Sequence, residues 1–309
     1  MGEGSIAIGG NRVKRSLRRI CVYLPDWLVM QIDNLRTYGR ILNLKKPKFY
    51  GEKLQWIKVY GNLERFTTLV DKYLVRDYIK NKIGEEYLTR LIAVYDDVSE
   101  IDYKYLPEKF VLKLNDGSDK NIICKNKALL NINKTNKRLK KLFKEDYYKY
   151  TKEPQYKNIK KKIICEEYLE SKVGDLIEYD LHCFSGKVKL IEVHTGRFKV
   201  YREDYFLTDW TRVYTRGKVK NSSGEIKKPT YLKKLIELGE KLAEGFEYIR
   251  VDFNAVDDKL YFSELTFTPD NGTDRYNPLE VDLELASLID LEKYNKPIKN
   301  IPFLEKKEE

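Results

Sequence analysis

Between Ile249 and Phe267 the chain alternates twice between apolar and polar residues. Ile249, Val251 and Phe253 are separated by Arg250 and Asp252, with Asn254 following. After Asp257-Asp258-Lys259, Tyr261, Ser263, Leu265 and Phe267 alternate with Phe262, Glu264 and Thr266. A period of two predicts two strands and a hairpin. A three-residue loop centred on Asp258 places Asp252 opposite Glu264; a two-residue loop shifts the pairing by one. Opposed side chains have Cβ atoms roughly 5 Å apart, and like charges there repel. A cation between them is the chemical expectation, with a merely solvated acidic face as the plain alternative.

The same reading organises the rest of the chain. Residues 25–90 read as mostly helical, and LVDKYLVRDYIKNKI (69–83) reads as one helix stopped by Gly84. LIAVYD (91–96) is a strand, and KFVLKLNDGSDKNIICKN (109–126) reads as strand, glycine loop, strand. A lysine-rich helix runs to about Tyr150 and Pro154 ends it. KKIICEEYLE (161–170) starts as a strand. LIEYDLHCFSGKVKLIEVHTG (176–196) is a second hairpin with Ser185-Gly186-Lys187 at its turn. Pro229-Thr230 opens an amphipathic helix carrying Leu232, Leu235, Ile236, Leu238 and Leu242. Asn277-Pro278 starts a last helix. Residues 1–20 read as a basic tail, and EKKEE at the other end as frayed.

Composition narrows the classes. A length of 309 residues suggests about two domains. No apolar run approaches the roughly 20 residues that span a bilayer, and the first 20 residues do not resemble a secretory signal. Cys21, Cys124, Cys165 and Cys183 stand singly and read as reduced thiols of a cytoplasmic protein. The net charge of +11 suits anionic partners such as nucleotide phosphate, acidic glycan or an anionic membrane surface. No nucleic-acid motif accompanies it, so no nucleic-acid partner is expected.

Four segments carry candidate chemistry. Lys113 ends a strand with a cation. Gly117 and Ser118 can turn backbone N–H groups toward an anion. Glu166-Glu167-Tyr168-Leu169 follows an apolar strand and can meet a nucleobase. Asp252 and Glu264 supply oxygens for a hard cation such as Mg2+, which commonly bridges carboxylates to phosphates. Together they are the parts of a nucleotide site. GxxxxGK[ST], the HRD–DFG set and GxSxG are absent. His182 and Cys183 point to opposite faces of a strand, which disfavours a zinc site built on that pair. Trp27, Trp56 and Trp210 read as core or interface anchors, and Asp96-Asp97 as a strand-ending turn.

From about Lys45 to Glu280 the sequence resembles the TupA-like branch of the ATP-grasp superfamily. The resemblance is carried by EKLQWIKVYG (52–61), LVDKYLVRDYI (69–79), LPEKFVLK (106–113), GS (117–118), QYKNIKKKIICEEYL (155–169), CFSGKVK (183–189), RVDF (250–253) and YFSELTFTP (261–269). It implies an α+β, ATP-grasp-like fold with two α+β subdomains clamping a nucleotide and a helical N-terminal region. The expected divisions are a 1–20 tail, a mostly helical 21–105 region, a small subdomain at 106–165 and a large subdomain with the metal-site hairpin at 166–309.

It further implies a carboxylate–amine ligase using ATP and Mg2+ through an acylphosphate, acting in bacterial surface-polysaccharide or capsule synthesis. The expected partners are an acidic sugar or glycan precursor and an amine such as an amino acid, with peripheral contact to an anionic membrane. By the resemblance, Lys113 contacts phosphate, Gly117 and Ser118 cover it, and Glu166, Glu167, Tyr168 and Leu169 hold adenine. Asp252, Glu264 and Thr266 ligate the metal, with Thr266 where many members have asparagine. Arg250 and Arg197 are the candidate catalytic cations.

Two departures bear on activity. The family loop reads close to NHGSG, whereas this chain has Asn115-Asp116-Gly117-Ser118-Asp119, with two acids where a phosphate approaches. Glu178-Tyr179-Asp180-Leu181 replaces a pattern near DYKF. Lys120 and Lys125 are the expected compensating cations. A degenerate glycan- or membrane-binding relative and a glycosyltransferase of the same pathway are the alternatives.

Overall fold

The computed structural model describes residues 21–118, 120–171, 174, 176–197 and 199–294. The expected basic tail at 1–20, the 295–309 end and Asp119 lie outside them.

The chain builds two antiparallel sheets. The smaller contains β1 (Leu91–Tyr95), β2 (Phe110–Leu114), β3 (Asn121–Cys124) and β4 (Ile163–Glu167), in the order β1-β4-β2-β3. The larger contains β5 (Ile177–Phe184), β6 (Lys187–Thr195), β7 (Arg202–Phe206), β8 (Arg212–Val213), β9 (Tyr248–Val256) and β10 (Lys259–Thr266), in the order β10-β9-β5-β6-β7-β8. The small sheet takes its edge strand β1 from within the 21–105 region that the sequence marks as mostly helical. Among the described residues, no helix is long and apolar enough to cross a membrane.

The large sheet has two chemically different faces, and the alternation of its strands makes them. Tyr179, Leu181, Val193, Val251, Phe253 and Leu265 are buried in one core. The Leu232–Ala243 helix covers that side, with Leu232, Leu235, Leu238 and Leu242 buried. Each such leucine contributes roughly 1.5–3 kcal/mol by leaving water. Gly239 permits the approach, because a Cβ there would sit 2.4 Å from Leu181 Cδ1. The other face is polar, and the site stands on it.

Three local expectations are corrected. The 69–83 stretch is not one helix. Thr67–Val70 and Val75–Lys82 are separate, because Asp71 Oδ1 accepts from the N–H groups of Tyr73 and Leu74 at 2.8 and 3.1 Å. This side chain competes with the helix for its own backbone donors. The lysine-rich helix ends at Lys144, and a second short one, Tyr147–Thr151, follows from an Asp146 cap. The 250–269 hairpin closes through a two-residue loop, Asp257-Asp258, both with positive φ, rather than a three-residue loop. Tyr261 therefore pairs with Asn254 and Phe262 with Phe253. A bulge between Phe262 and Glu264 then adds one residue and brings Glu264 opposite Asp252 after all.

The second hairpin turns at Ser185-Gly186, both left-handed. Trp27 is 65% exposed rather than in the core, whereas Trp56 and Trp210 pack against it. Asp96, read only as part of a turn, also pairs with Lys162 at 2.7 Å.

Candidate functional site

The polar face of the large sheet is built by register. Asp180 on β5 pairs with Asp252 on β9 on one side and Glu192 on β6 on the other. His182 lies opposite Arg250, Glu178 opposite His194, and Arg250 opposite Thr266. Residues two apart on a strand share a face, so these side chains form one continuous carpet of charge.

At one end Asp252 and Glu264 face each other, brought into register by the bulge. Arg250 donates from Nε and Nη2 to the two oxygens of Asp252, at 2.8 and 2.7 Å. The same Nη2 lies 3.2 Å from Asp180 Oδ2 and 3.9 Å from Glu264 Oε1. Thr266 Oγ1 is 3.5 Å from both Asp252 Oδ2 and Glu264 Oε1. The cations beside the two acids are thus supplied by the chain. Burial raises the Asp252 carboxyl, with Arg250 opposing and Asp180 and Glu264 adding to the rise. Three carboxylates around one guanidinium leave a site that favours further positive charge.

Lys72 supplies part of that charge, a role that the pattern of apolar and polar positions does not reveal. Its Nζ donates to Glu264 Oε2 at 2.5 Å. Burial works against ionisation of Glu264, yet the Lys72 ammonium holds the carboxyl below its usual range. Lys72 is positioned by the break at Asp71. Its N–H donates to the Asn115 carbonyl at 3.0 Å, and Asn115 Nδ2 donates to Asp71 Oδ2 at 2.7 Å. Asn115 begins the glycine loop, so this one junction joins that loop to the Asp252–Glu264 pair.

On the small sheet, Lys113 and Glu166 lie on paired strands, and Lys113 Nζ is 2.6 Å from Glu166 Oε2. Arg76 holds the other carboxylate oxygen at 3.0 Å. Glu166 is therefore a buried acid between two cations, and Glu167 turns outward to Arg90 at 3.2 Å. Lys125 stands over the Tyr168 ring, 5.5 Å from its centroid. Leu169 is half-buried and follows in the same segment. Gly117 has φ +68 and presses against Tyr147, whose ring atoms would lie 2.3 Å from an added Cβ. Ser118 beside it is exposed.

Two of the acids expected to repel phosphate, Asp116 and Asp180, are paired with cationic groups of the chain. Asp116 pairs with Lys120 at 2.9 Å, both nearly inaccessible to water. This is the compensation expected of Lys120. Asp180 is held between Arg250 and the His194 imidazole, whose Nε2 is 3.1 Å away. Against burial, Arg250 and His194 hold the Asp180 carboxyl well below its usual range. Arg197 pairs with Glu178 at the neighbouring end of the face.

Three oxygens from Asp252, Glu264 and Thr266 converge at the spacing just given, an all-oxygen set of the kind a hard divalent cation takes. The residues present therefore fit Mg2+.

The sequence matches the family described as TupA-like ATPgrasp over residues 52–290. The chain belongs to this TupA-like ATP-grasp family. Solved structures that the chain matches include D-alanine–D-alanine ligase from Bacillus anthracis complexed with ATP, at 14% identity over 85% of this chain and 82% of that one, with a TM-score of 0.45. D-Alanine-D-alanine ligase from Helicobacter pylori is 14% identical over 72% of this chain and 61% of that one, with a TM-score of 0.39. Phosphoribosylamine–glycine ligase from Thermotoga maritima is 14% identical over 75% and 57%, with a TM-score of 0.40. The chain thus spans under two thirds of the length of the latter two. No curated protein matches the chain in sequence.

Proposed function

We propose that this TupA-like ATP-grasp protein is an ATP-dependent carboxylate–amine ligase. The observation that supports the reading best is the opposed pair Asp252 and Glu264, with Thr266 between them and Arg250 and Lys72 beside them. In this reading Asp252, Glu264 and Thr266 hold Mg2+, which when bound offsets the charge of the nucleotide phosphates. Lys113 and the Gly117-Ser118 loop approach the phosphates from the small sheet, while the segment Glu166 to Leu169 receives adenine. Lys113 would exchange Glu166 for phosphate.

The substrate carboxylate attacks the γ-phosphorus, ADP leaves, and an acylphosphate forms. The amine then attacks the acyl carbon and phosphate departs. Phosphoryl transfer needs chiefly positioning and nearby positive charge. Arg250 is the cation that reaches Asp180, Asp252 and Glu264 together, and its rigid fork suits an anion it shares with Asp252. Arg197 would have to leave Glu178 to reach a phosphate. The family resemblance suggests an acidic sugar or glycan precursor and an amino-acid amine, with surface-polysaccharide synthesis as the setting.

Thermal unfolding with a nucleotide panel, with and without Mg2+, tests the reading. MgATP should raise the melting temperature and ATP without metal much less, because a ligand preferring the native state stabilises it. Asp252→Asn and Glu264→Gln should lose the Mg2+-dependent part and ATP turnover. Undiminished turnover in both variants would end the proposal, and a preference for sugar nucleotides over ATP would favour a glycosyltransferase.

A further inference from the structure

Beyond the Asp252–Glu264 pair, the polar face carries a second cluster that the proposed reaction does not use. Asp180 and Glu192 are register partners on β5 and β6, and His194 follows Glu192 by two on the same face. One ligand atom from each of the three lies within 4.8 Å of the others, and all three residues are buried. His194 Nε2 is 3.1 Å from Asp180 Oδ2 and 3.7 Å from Glu192 Oε1. Donors in a tetrahedral shell with bonds of about 2.1 Å stand roughly 3.4 Å apart, and these two distances straddle that value.

The three side chains are held from behind by neighbouring groups. A ligating histidine usually has its second ring nitrogen fixed by a hydrogen bond, which sets ring and tautomer. Here His194 Nδ1 meets the Tyr201 hydroxyl at 2.7 Å, and the Tyr201 ring stacks on the imidazole at 4°. Nε2 is thereby aimed at the two carboxylates. Glu192 is held in turn by the Tyr205 hydroxyl at 3.2 Å and by His182 Nε2 at 3.3 Å, and Asp180 by Arg250.

A separate observation bears on the same cluster. The Tyr276 hydroxyl is buried and has no hydrogen-bond partner, although a buried polar group ordinarily has one. Its ring packs edge-on against Tyr205 and His182, the two groups that hold Glu192, and the hydroxyl is close enough to feel the Glu192 charge.

We infer that Asp180, Glu192 and His194 form a second metal site, for a borderline divalent ion of the Zn2+ or Co2+ class, distinct from the all-oxygen site at Asp252, Glu264 and Thr266. One imidazole with two carboxylates favours such an ion over Mg2+. The unpartnered Tyr276 hydroxyl, within reach of the Glu192 charge, is the candidate partner for a water or anion bound to such an ion. The inference does not depend on the ligase reading.

The test uses chelator-treated full-length chain titrated with Co2+ under excess Mg2+, followed by visible absorption and then displacement with Zn2+. One equivalent of Co2+ with tetrahedral-type bands is expected, and Zn2+ should bleach them. His194→Gln and Glu192→Gln should each weaken uptake by at least about tenfold, the loss seen even for outer partners of such sites. Asp252→Asn should keep the spectrum. Circular dichroism verifies that the variants fold, and the two are read independently so that one misfolded variant does not decide the matter. Absent uptake, bands unchanged in both variants, or bands lost only in Asp252→Asn would overturn the second site.

Discussion

Lys72 shows at the level of one residue what sequence periodicity cannot supply. It lies in a stretch that reads as a continuous helix, and its partner Glu264 is 192 positions away. Only the side chain of Asp71, by ending the helix, releases Lys72 into the site. With Lys72 15% and Glu264 28% exposed as side chains, the pair is mostly desolvated. Lys72→Met should destabilise the metal-free protein by about 1–3 kcal/mol, less than for a fully buried pair because some water reaches both groups. Mg2+ should then recover more stability in Lys72→Met than in the wild type, since it restores the charge removed. Chemical denaturation with and without Mg2+ measures both effects, and an equal Mg2+ response would argue against the acids holding a divalent ion.

Glu153 offers a pH test at a residue that is not itself a metal ligand, although the Glu264 charge reaches it. It is buried, accepts from Thr268 and lies near Lys58. Burial, only partly opposed by Lys58 and Thr268, pushes it up to about 7. The folded state therefore keeps a proton that the unfolded chain has released. Glu153 thus lowers stability as pH rises from about 4.5 to about 7, and its cost is constant above that. Glu153→Gln should remove this falling component, on the order of 2–3 kcal/mol between pH 4.5 and 8. Denaturation curves at both pH values check the sign. An unchanged difference would mean that Glu153 titrates as an ordinary carboxylate.

At the scale of elements, the alternation of Ile249–Asn254 and Tyr261–Phe267 made the hairpin legible, and with it the facing of Asp252 and Glu264. The turn was not legible. Asp257-Asp258-Lys259 suits a loop of two or three residues, and a bulge is invisible in a pattern of apolar and polar positions because it adds a residue without changing their kind. The loop expectation was wrong and the pairing right, since the bulge offset the error. Both turn residues have positive φ, 48 and 64, the geometry that favours Asp-Gly. Asp258→Gly should therefore stabilise the fold by about 0.5–1 kcal/mol, by relieving left-handed backbone at a non-glycine residue. A higher midpoint in denaturant with an unchanged slope is the expected result. A lower midpoint would show that the Asp258 carboxylate contributes more than its backbone costs.

At the scale of the molecule, what escaped the sequence was cancellation. Asp180 reads as a charge hostile to a polyphosphate, because its partners Arg250 and His194 are identified only by strand register, whereas Lys120, four residues from Asp116, is the partner expected for Asp116. Composition likewise reports a net +11 without saying whether it is used. Lys134, Lys137, Lys140 and Lys141 stand exposed on the Ile132–Lys144 helix, whose Thr135 and Leu139 face inward. If this charge is incidental to a ligase, replacing the four with Gln should release the protein from an anionic matrix at lower salt and leave the MgATP melting shift intact. Exposed charges more than about 8 Å from an anion are screened at physiological ionic strength, so wild-type retention should also fade there. Retention that persists at that salt, together with no MgATP shift, would instead favour an anionic-polymer binder. The outcome separates a cleft that captures nucleotide from a surface that captures glycan or membrane, because only the first depends on Asp252 and Glu264.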